Sequence, residues 1–266
     1  MTTADPGADP ASGRVHSFVE AETGWILLDN PARRNAMSFA MWQGLAETLD
    51  RFESDAAVRC VVLRGAGDLA FCAGADISEF GGAAPDAYNR LAMAAMARLQ
   101  QITKPTLAMI SGYCIGGGTA LAVSCDIRIA SRTSRYGIPA AKLGLGYDYD
   151  GARRLTALIG PSPTKRLLFS AAQIGAEEAL RIGLIDEIAE PADLEAAVRG
   201  LSGTIARNAP LSVVAAKLAV DASWNEPDAA GLAELQGRIA ACYASEDFIE
   251  GQRAFAEKRA ARFAGR

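Results

Sequence analysis

The sequence predicts an α/β core followed by an all-helical C-terminal portion. Two observations point to this class. As far as about residue 150, short apolar runs alternate with segments of helical spacing, joined by short connections. Beyond that point the strand signal fades, and residues 161–168, 176–182, 192–208, 211–222 and 229–262 all favour helix.

Residues 25–29 (WILLD) read as a short apolar strand, ended by the turn Asn30-Pro31-Ala32. Ser38 is placed to cap a helix over 39–52, where Met41, Leu45 and Leu49 recur at helical spacing. Residues 59–64 (RCVVLR) read as a buried strand and 88–102, rich in Ala, Leu and Met, as a helix. Pro105 leads into a strand over 106–110 (TLAMI). The glycines at 116–118 open a small-residue helix over 119–124, and 126–130 (DIRIA) is the next strand. A core over 15–200 and a helical domain over 201–266 follow, the latter read as an oligomerisation domain. Residues 1–14 carry two aspartates and no apolar centre, so they read as a disordered leader rather than a signal or transit peptide.

Composition narrows the function. The formal charge of −4 over 266 residues gives no global attraction for nucleic acid or an anionic membrane. No apolar run approaches the roughly 18 residues of a membrane span. Five cysteines with no Cys-x-x-Cys pair read as reduced thiols in a cytoplasmic protein. His16 is the sole histidine, which argues against a histidine-dependent triad or a histidine-rich metal site.

Two glycine motifs follow predicted strands. FCAGADI occupies 71–77 and SGYCIGGG occupies 111–118. Amides at a helix start lack intrahelical partners and face positive potential. Two of them can converge on one carbonyl oxygen and stabilise the charge it develops. Alternatively, the glycines serve only tight turns. A third run, GAGDLA at 65–70, fits a dinucleotide fingerprint, but no amphipathic helix and no acidic strand end follow it, so a Rossmann site is rejected. Cys72 and Cys114, inside the two motifs, read as small packing residues.

Taken together, FCAGADI and GYCIGGGTALAVSCDIRIA resemble the paired signature of the crotonase (enoyl-CoA hydratase/isomerase) superfamily. LDNPARRNAM, AEEALRIGLIDEI and SEDFIEGQRAFAEKR are similar to further stretches of it, in the same order, from about residue 24 to 263. The resemblance implies a spiral of ββα turns with a helical tail. It implies an acyl-CoA thioester substrate whose oxygen sits between the amides of Ala75 and Gly117. Coenzyme A is expected as part of the substrate, with no prosthetic group and no metal. Arg34, Ala36, Ala73, Asp76 and Ile77 match its contact positions. Phe255 and Lys258 match tail positions that reach it from a neighbouring subunit of a homotrimer or a dimer of trimers. A solvated surface charge is the plainer reading of Arg34 and Lys258.

The chain also departs from that pattern. Ala120 and Ala140 stand where typical hydratases carry glutamates, and alanine moves no proton. The run GYDYDG at 146–151 offers a replacement. Asp148 matches a catalytic aspartate of the dienoyl-CoA isomerase and chlorobenzoyl-CoA dehalogenase branches, and Tyr147 a pocket tyrosine of the methylmalonyl-CoA decarboxylase branch. That last branch also has a similar tail, but Ala75 and Ala120 replace its histidine and glutamate. Asp150 or Asp148 caps a helix starting near Ala152; Asp150 is the favoured cap, leaving Asp148 for chemistry, with burial to raise its basicity. Three functions stay open: a hydratase- or isomerase-type enzyme, an acyl-CoA decarboxylase or hydrolase, and a non-catalytic acyl-CoA-binding subunit.

Overall fold

A computed structural model describes residues 13–76, 85–225 and 227–266. The chain opens with a hairpin of β1 (Arg14–Glu20) and β2 (Thr23–Asp29). Three ββα turns follow. β3 (Cys60–Gly65) and β4 (Ala70–Cys72) precede α2 (Pro85–Gln101), with α1 (Phe39–Ser54) bridging β2 and β3. β5 (Thr106–Ile110) and β6 (Tyr113–Ile115) precede α3 (Gly117–Val123). β7 (Ile127–Ser131) and β8 (Arg135–Gly137) precede α4 (Tyr149–Ile159). After α5 (Pro161–Ser170) come β9 (Ile174–Gly175), α6 (Ala176–Arg181) and β10 (Glu187–Ala189). Then follow α7 (Leu194–Arg207), α8 (Pro210–Asn225), α9 (Ala229–Tyr243) and α10 (Glu246–Glu257).

The first strand of each turn joins one sheet, in the order β1-β2-β3-β5-β7-β10, and the second joins another, in the order β4-β6-β8-β9. Apart from the β1 and β9 pairings, neighbours run parallel, which crossover connections between them make possible. This is the α/β core with a helical C-terminal portion that the sequence predicts.

Strand alternation divides the apolar residues between two cores. From β3, Val61 and Leu63 face a core shared with Met41, Leu45, Leu49 and Phe52 of α1, Leu99 of α2 and Phe71 of β4. Cys60 and Val62 face the other side, where Trp25, Leu107 and Ile129 meet Leu194 and Val198 of α7. α7 therefore packs on the sheet and crosses residue 200, at which the sequence reading ended the core; α8 to α10 lie beyond it.

Several expectations change. Arg14, assigned to the leader, opens β1, while residues 1–12 lie outside the described residues. The helix expected over 229–262 is two helices. Ser245 ends the first and caps α10, its hydroxyl accepting from the Phe248 amide at 3.1 Å. Ser38 caps α1 as expected, accepting from Met41 N at 3.2 Å.

The loop 30–37 is fastened by two buried asparagines. Asn35 adopts a left-handed φ of 57°, which its short polar side chain tolerates. Its Oδ1 accepts from Asn30 N at 3.1 Å, and its Nδ2 donates to the carbonyls of Ala66 (3.0 Å) and Ala70 (2.7 Å). Asn30 Nδ2 donates to Ala36 O at 2.8 Å. The loop is thereby tied to the turn that feeds β4. At the other end of the chain, the buried Asp247 carboxylate accepts from the amides of Ala264 (2.6 Å) and Gly265 (2.8 Å), and Arg59 donates to Phe263 O at 2.9 Å.

Asn35→Ala strands two carbonyls and one amide, and is expected to cost about 2–4 kcal/mol, read as a lower denaturation midpoint by circular dichroism. Asp247→Ala is expected to release the last residues, so that trypsin cuts after Arg259 and Arg262 roughly tenfold faster than in the unsubstituted protein.

Candidate active site

β4 and β6 are parallel neighbours, with Cys72 in register with Cys114. Each runs into a glycine turn, and the two turns therefore lie side by side. Gly74 and Gly116 take φ of 102° and 58°, conformations closed to most side chains. A Cβ on Gly74 would stand 3.3 Å from Gly117 N, and one on Gly117 would stand 3.8 Å from Ala75 N. The two amides the sequence singled out thus flank one small space.

Their orientation follows from hydrogen bonding. Ala75 forms a parallel bridge with Met37, in which Met37 N donates to Gly74 O (2.8 Å) and Asp76 N donates to Met37 O (2.9 Å). Those bonds take up the groups on either side of Ala75, so its own N–H points away from Met37. Gly117 is the first residue of α3, and its N–H has no intrahelical partner. Among the described residues neither amide has an acceptor. Two convergent, unsatisfied amides can stabilise an oxyanion that develops between them.

The brace behind Ala75 is a buried chain that sequence reading missed. Trp42 Nε1 donates to Tyr88 Oη at 2.8 Å, and Tyr88 Oη donates to Met37 O at 2.7 Å. Phe39 packs edge-on to Tyr88, with ring centroids 5.2 Å apart. In the sequence these aromatics show only as apolar positions on two helices.

Arg34, Ala36, Ala73 and Asp76 come together beside this turn. Ala73 N donates to Arg34 O at 3.0 Å, and the Arg34 guanidinium lies 5.0 Å from the centre of the Tyr113 ring. Asp76 is buried, with Arg33 at 3.8 Å. Ile77 lies outside the described residues. Phe255 and Lys258 are elsewhere, at the end of α10. Phe255 is 87 % exposed and lines a cavity of about 580 Å³ among α8, α9 and α10. The structure does not join these two residues to the rest within one chain.

Ala120 lies on α3 and Ala140 in the 3-10 turn Pro139–Lys142, both half-buried. Pro139 adjoins Gly116, its Cδ lying 3.7 Å from where a Cβ would stand. From there Leu145 N reaches back to Ala140 O at 3.0 Å, closing the loop that leads to Tyr147 and Asp148. Asp148 is the N-cap of α4, its Oδ1 accepting from Gly151 N at 2.7 Å. This corrects the expectation that Asp150 caps the helix and that Asp148 is buried: Asp148 is exposed, and Asp150 lies in the first turn. Tyr147 is half-buried, with its hydroxyl enclosed. Among the described residues its hydroxyl has no hydrogen-bond partner, and burial, with the Asp148 charge adding, holds the phenol above its usual range and therefore protonated.

Among the described residues, no three His, Cys, Asp or Glu side chains group as a metal site, and no helix is long and apolar enough to cross a membrane.

Comparison with known proteins bears on the family and the fold. The sequence profile of the enoyl-CoA hydratase/isomerase family matches residues 20–266. The short-chain-enoyl-CoA hydratase of Clostridium acetobutylicum is 34% identical over 243 residues, covering 90% of this chain and 93% of that protein. The carnitinyl-CoA dehydratase of Proteus mirabilis is 34% identical, covering 91% of this chain and 94% of that protein. The crystal structure of an enoyl-CoA hydratase from Bacillus anthracis superposes with a TM-score of 0.89 at 30% identity, covering 95% of this chain and 100% of that one. Fold, motif order and these likenesses agree, and the chain belongs to the enoyl-CoA hydratase/isomerase family of the crotonase superfamily.

Proposed function

We propose that the chain binds an acyl-CoA thioester with its carbonyl oxygen between the amides of Ala75 and Gly117, and turns it over through an enolate-like anion. The observation that carries this reading is the pair of amides on facing glycine turns that have no acceptor among the described residues. Relatives named as hydratases and a dehydratase of CoA esters support a lyase or isomerase reaction. Coenzyme A lies along Arg34, Ala36, Ala73, Asp76 and Ile77, and no metal or prosthetic group takes part.

With Ala120 and Ala140 inert, Tyr147 and Asp148 are the polar groups assigned to the acyl end among the described residues. Tyr147 supplies a neutral hydrogen-bond donor whose buried hydroxyl gains an acceptor when substrate arrives. Asp148 supplies a carboxylate that exchanges protons from the rim. That equipment also favours a second reading, decarboxylation of a carboxylated acyl-CoA. Loss of carbon dioxide yields the enolate directly and needs no base, so two alanines at the acid–base positions cost it nothing.

The tail supports assembly into a homotrimer or a dimer of trimers. α9 buries none of its residues, while Leu232, Ile239, Tyr243, Phe248, Ile249 and Phe255 are exposed. A neighbouring copy covers such a surface, and brings its own Phe255 and Lys258 to the coenzyme.

Calorimetry with a panel of CoA esters is expected to show binding, and mass spectrometry of the products to separate hydration, isomerisation, decarboxylation and hydrolysis. No binding to any ester by folded protein sinks the reading, and binding without turnover makes the chain an acyl-CoA-binding subunit. Asparagine caps a helix as well as aspartate does, so Asp148→Asn removes proton transfer and leaves α4 intact. If Asp148 moves the proton, that variant loses roughly a hundredfold in kcat with CoA affinity unchanged. If Tyr147 and the amides suffice, Tyr147→Phe carries the loss instead. Sedimentation velocity is expected to give a multiple of the 27.8 kDa chain; a clean monomer counts against the assembly.

A further inference from the structure

We propose that Cys72 is a positioning residue, whose thiol fixes the Gly74–Ala75 peptide so that the Ala75 amide faces Gly117. The inference rests on the oxyanion reading above and adds to it a side chain that touches no substrate. Gly74 is the loosest point of the first turn, since glycine at a φ of 102° gains no steric guidance from a side chain. Its carbonyl is held by Met37 N at 2.8 Å, but among the described residues its N–H is held by sulfur alone. Cys72 Sγ accepts from Gly74 N at 3.4 Å and donates to Gly74 O at 3.7 Å. The thiol thus closes a small ring around the residue immediately before Ala75.

The bond donated to Gly74 O requires the neutral thiol. Burial pushes the Cys72 thiol up to about 12, so it keeps its proton through the physiological range. Its surroundings are rigid as well. Cys72 is wholly enclosed in β4, and its carbonyl lies so near Gly118 that a Cβ there would stand 2.0 Å from the oxygen. A sulfur anchored in that backbone transmits its position directly to the turn. Small size explains the burial of a cysteine here, but it leaves unexplained a pair of contacts to both polar groups of one glycine.

The test uses a CoA thioester of a conjugated aryl-acrylic acid, whose absorption moves to longer wavelength when its carbonyl is polarised. Wild-type protein is expected to red-shift the bound probe. Cys72→Ser, which keeps a donor and an acceptor, is expected to retain the shift. Cys72→Ala and Cys72→Val, which keep small size or volume without either group, are expected to lose roughly half of it or more and about tenfold in kcat. Affinity for coenzyme A itself, which carries no acyl carbonyl, is expected to stay the same in all. Should the cavity in Cys72→Ala prevent folding, Cys72→Val fills it and carries the comparison. A wild-type shift preserved in a folded alanine or valine variant overturns this inference alone. If wild-type protein binds the thioester with no shift, the oxyanion reading fails and this inference with it.

Discussion

The structure depends on one close approach, that of the backbone turns after β4 and β6. A Cβ at Gly118 would stand 2.0 Å from the Cys72 carbonyl oxygen and 3.0 Å from the Cys72 Cβ. No side chain fits there, so the start of α3 lies directly against the end of β4. That contact sets the separation of Ala75 N from Gly117 N. Parallel pairing supplies it: Cys72, at the end of β4, lies opposite Cys114 of β6, and the turns that follow emerge together. The ββα repeat then fixes which turns meet, since the second strands of successive turns neighbour one another in the smaller sheet.

The turns themselves are weak in sterics and strong in hydrogen bonds. Glycine confers freedom, and that freedom has to be removed by something else. Loop 30–37 does so from one side: Asn30 and Asn35 stiffen the loop, and Met37 grips the peptides on both sides of Ala75. Trp42 and Tyr88 back Met37 from the core. The amides that face solvent-accessible space are therefore held by groups packed deep in the domain, which is the arrangement electrostatic preorganisation needs.

Much of this was legible in the sequence. The buried strands at 106–110 and 59–64, the Ser38 cap and the paired glycine motifs all declare themselves through apolar runs and turn residues. β1 did not, because it is a largely exposed edge strand and its turn uses Ala21 and Glu22 at positive φ, where neither glycine nor asparagine marks it. Ser245 was hidden inside a long stretch of good helix formers. At the site, the residues in the two motifs were readable, and so was Tyr147 beside Asp148. Which of the two aspartates caps α4 was not, since Asp148 and Asp150 both precede apolar spacing. The braces from Asn35, Tyr88 and Cys72 were unreadable for a common reason: each joins segments distant in sequence or depends on the geometry of a single turn.

The cysteines have a practical consequence. Cys60, Cys72, Cys114 and Cys125 are buried and their thiols stand far above the usual range, so alkylating reagents find neither access nor thiolate. Cys242, on α9, is half-exposed and lines the cavity beneath Phe248 and Phe255. One maleimide dye per chain will therefore attach at Cys242 without any engineered handle. Its emission reports on the helical tail, where α9 and α10 line that cavity.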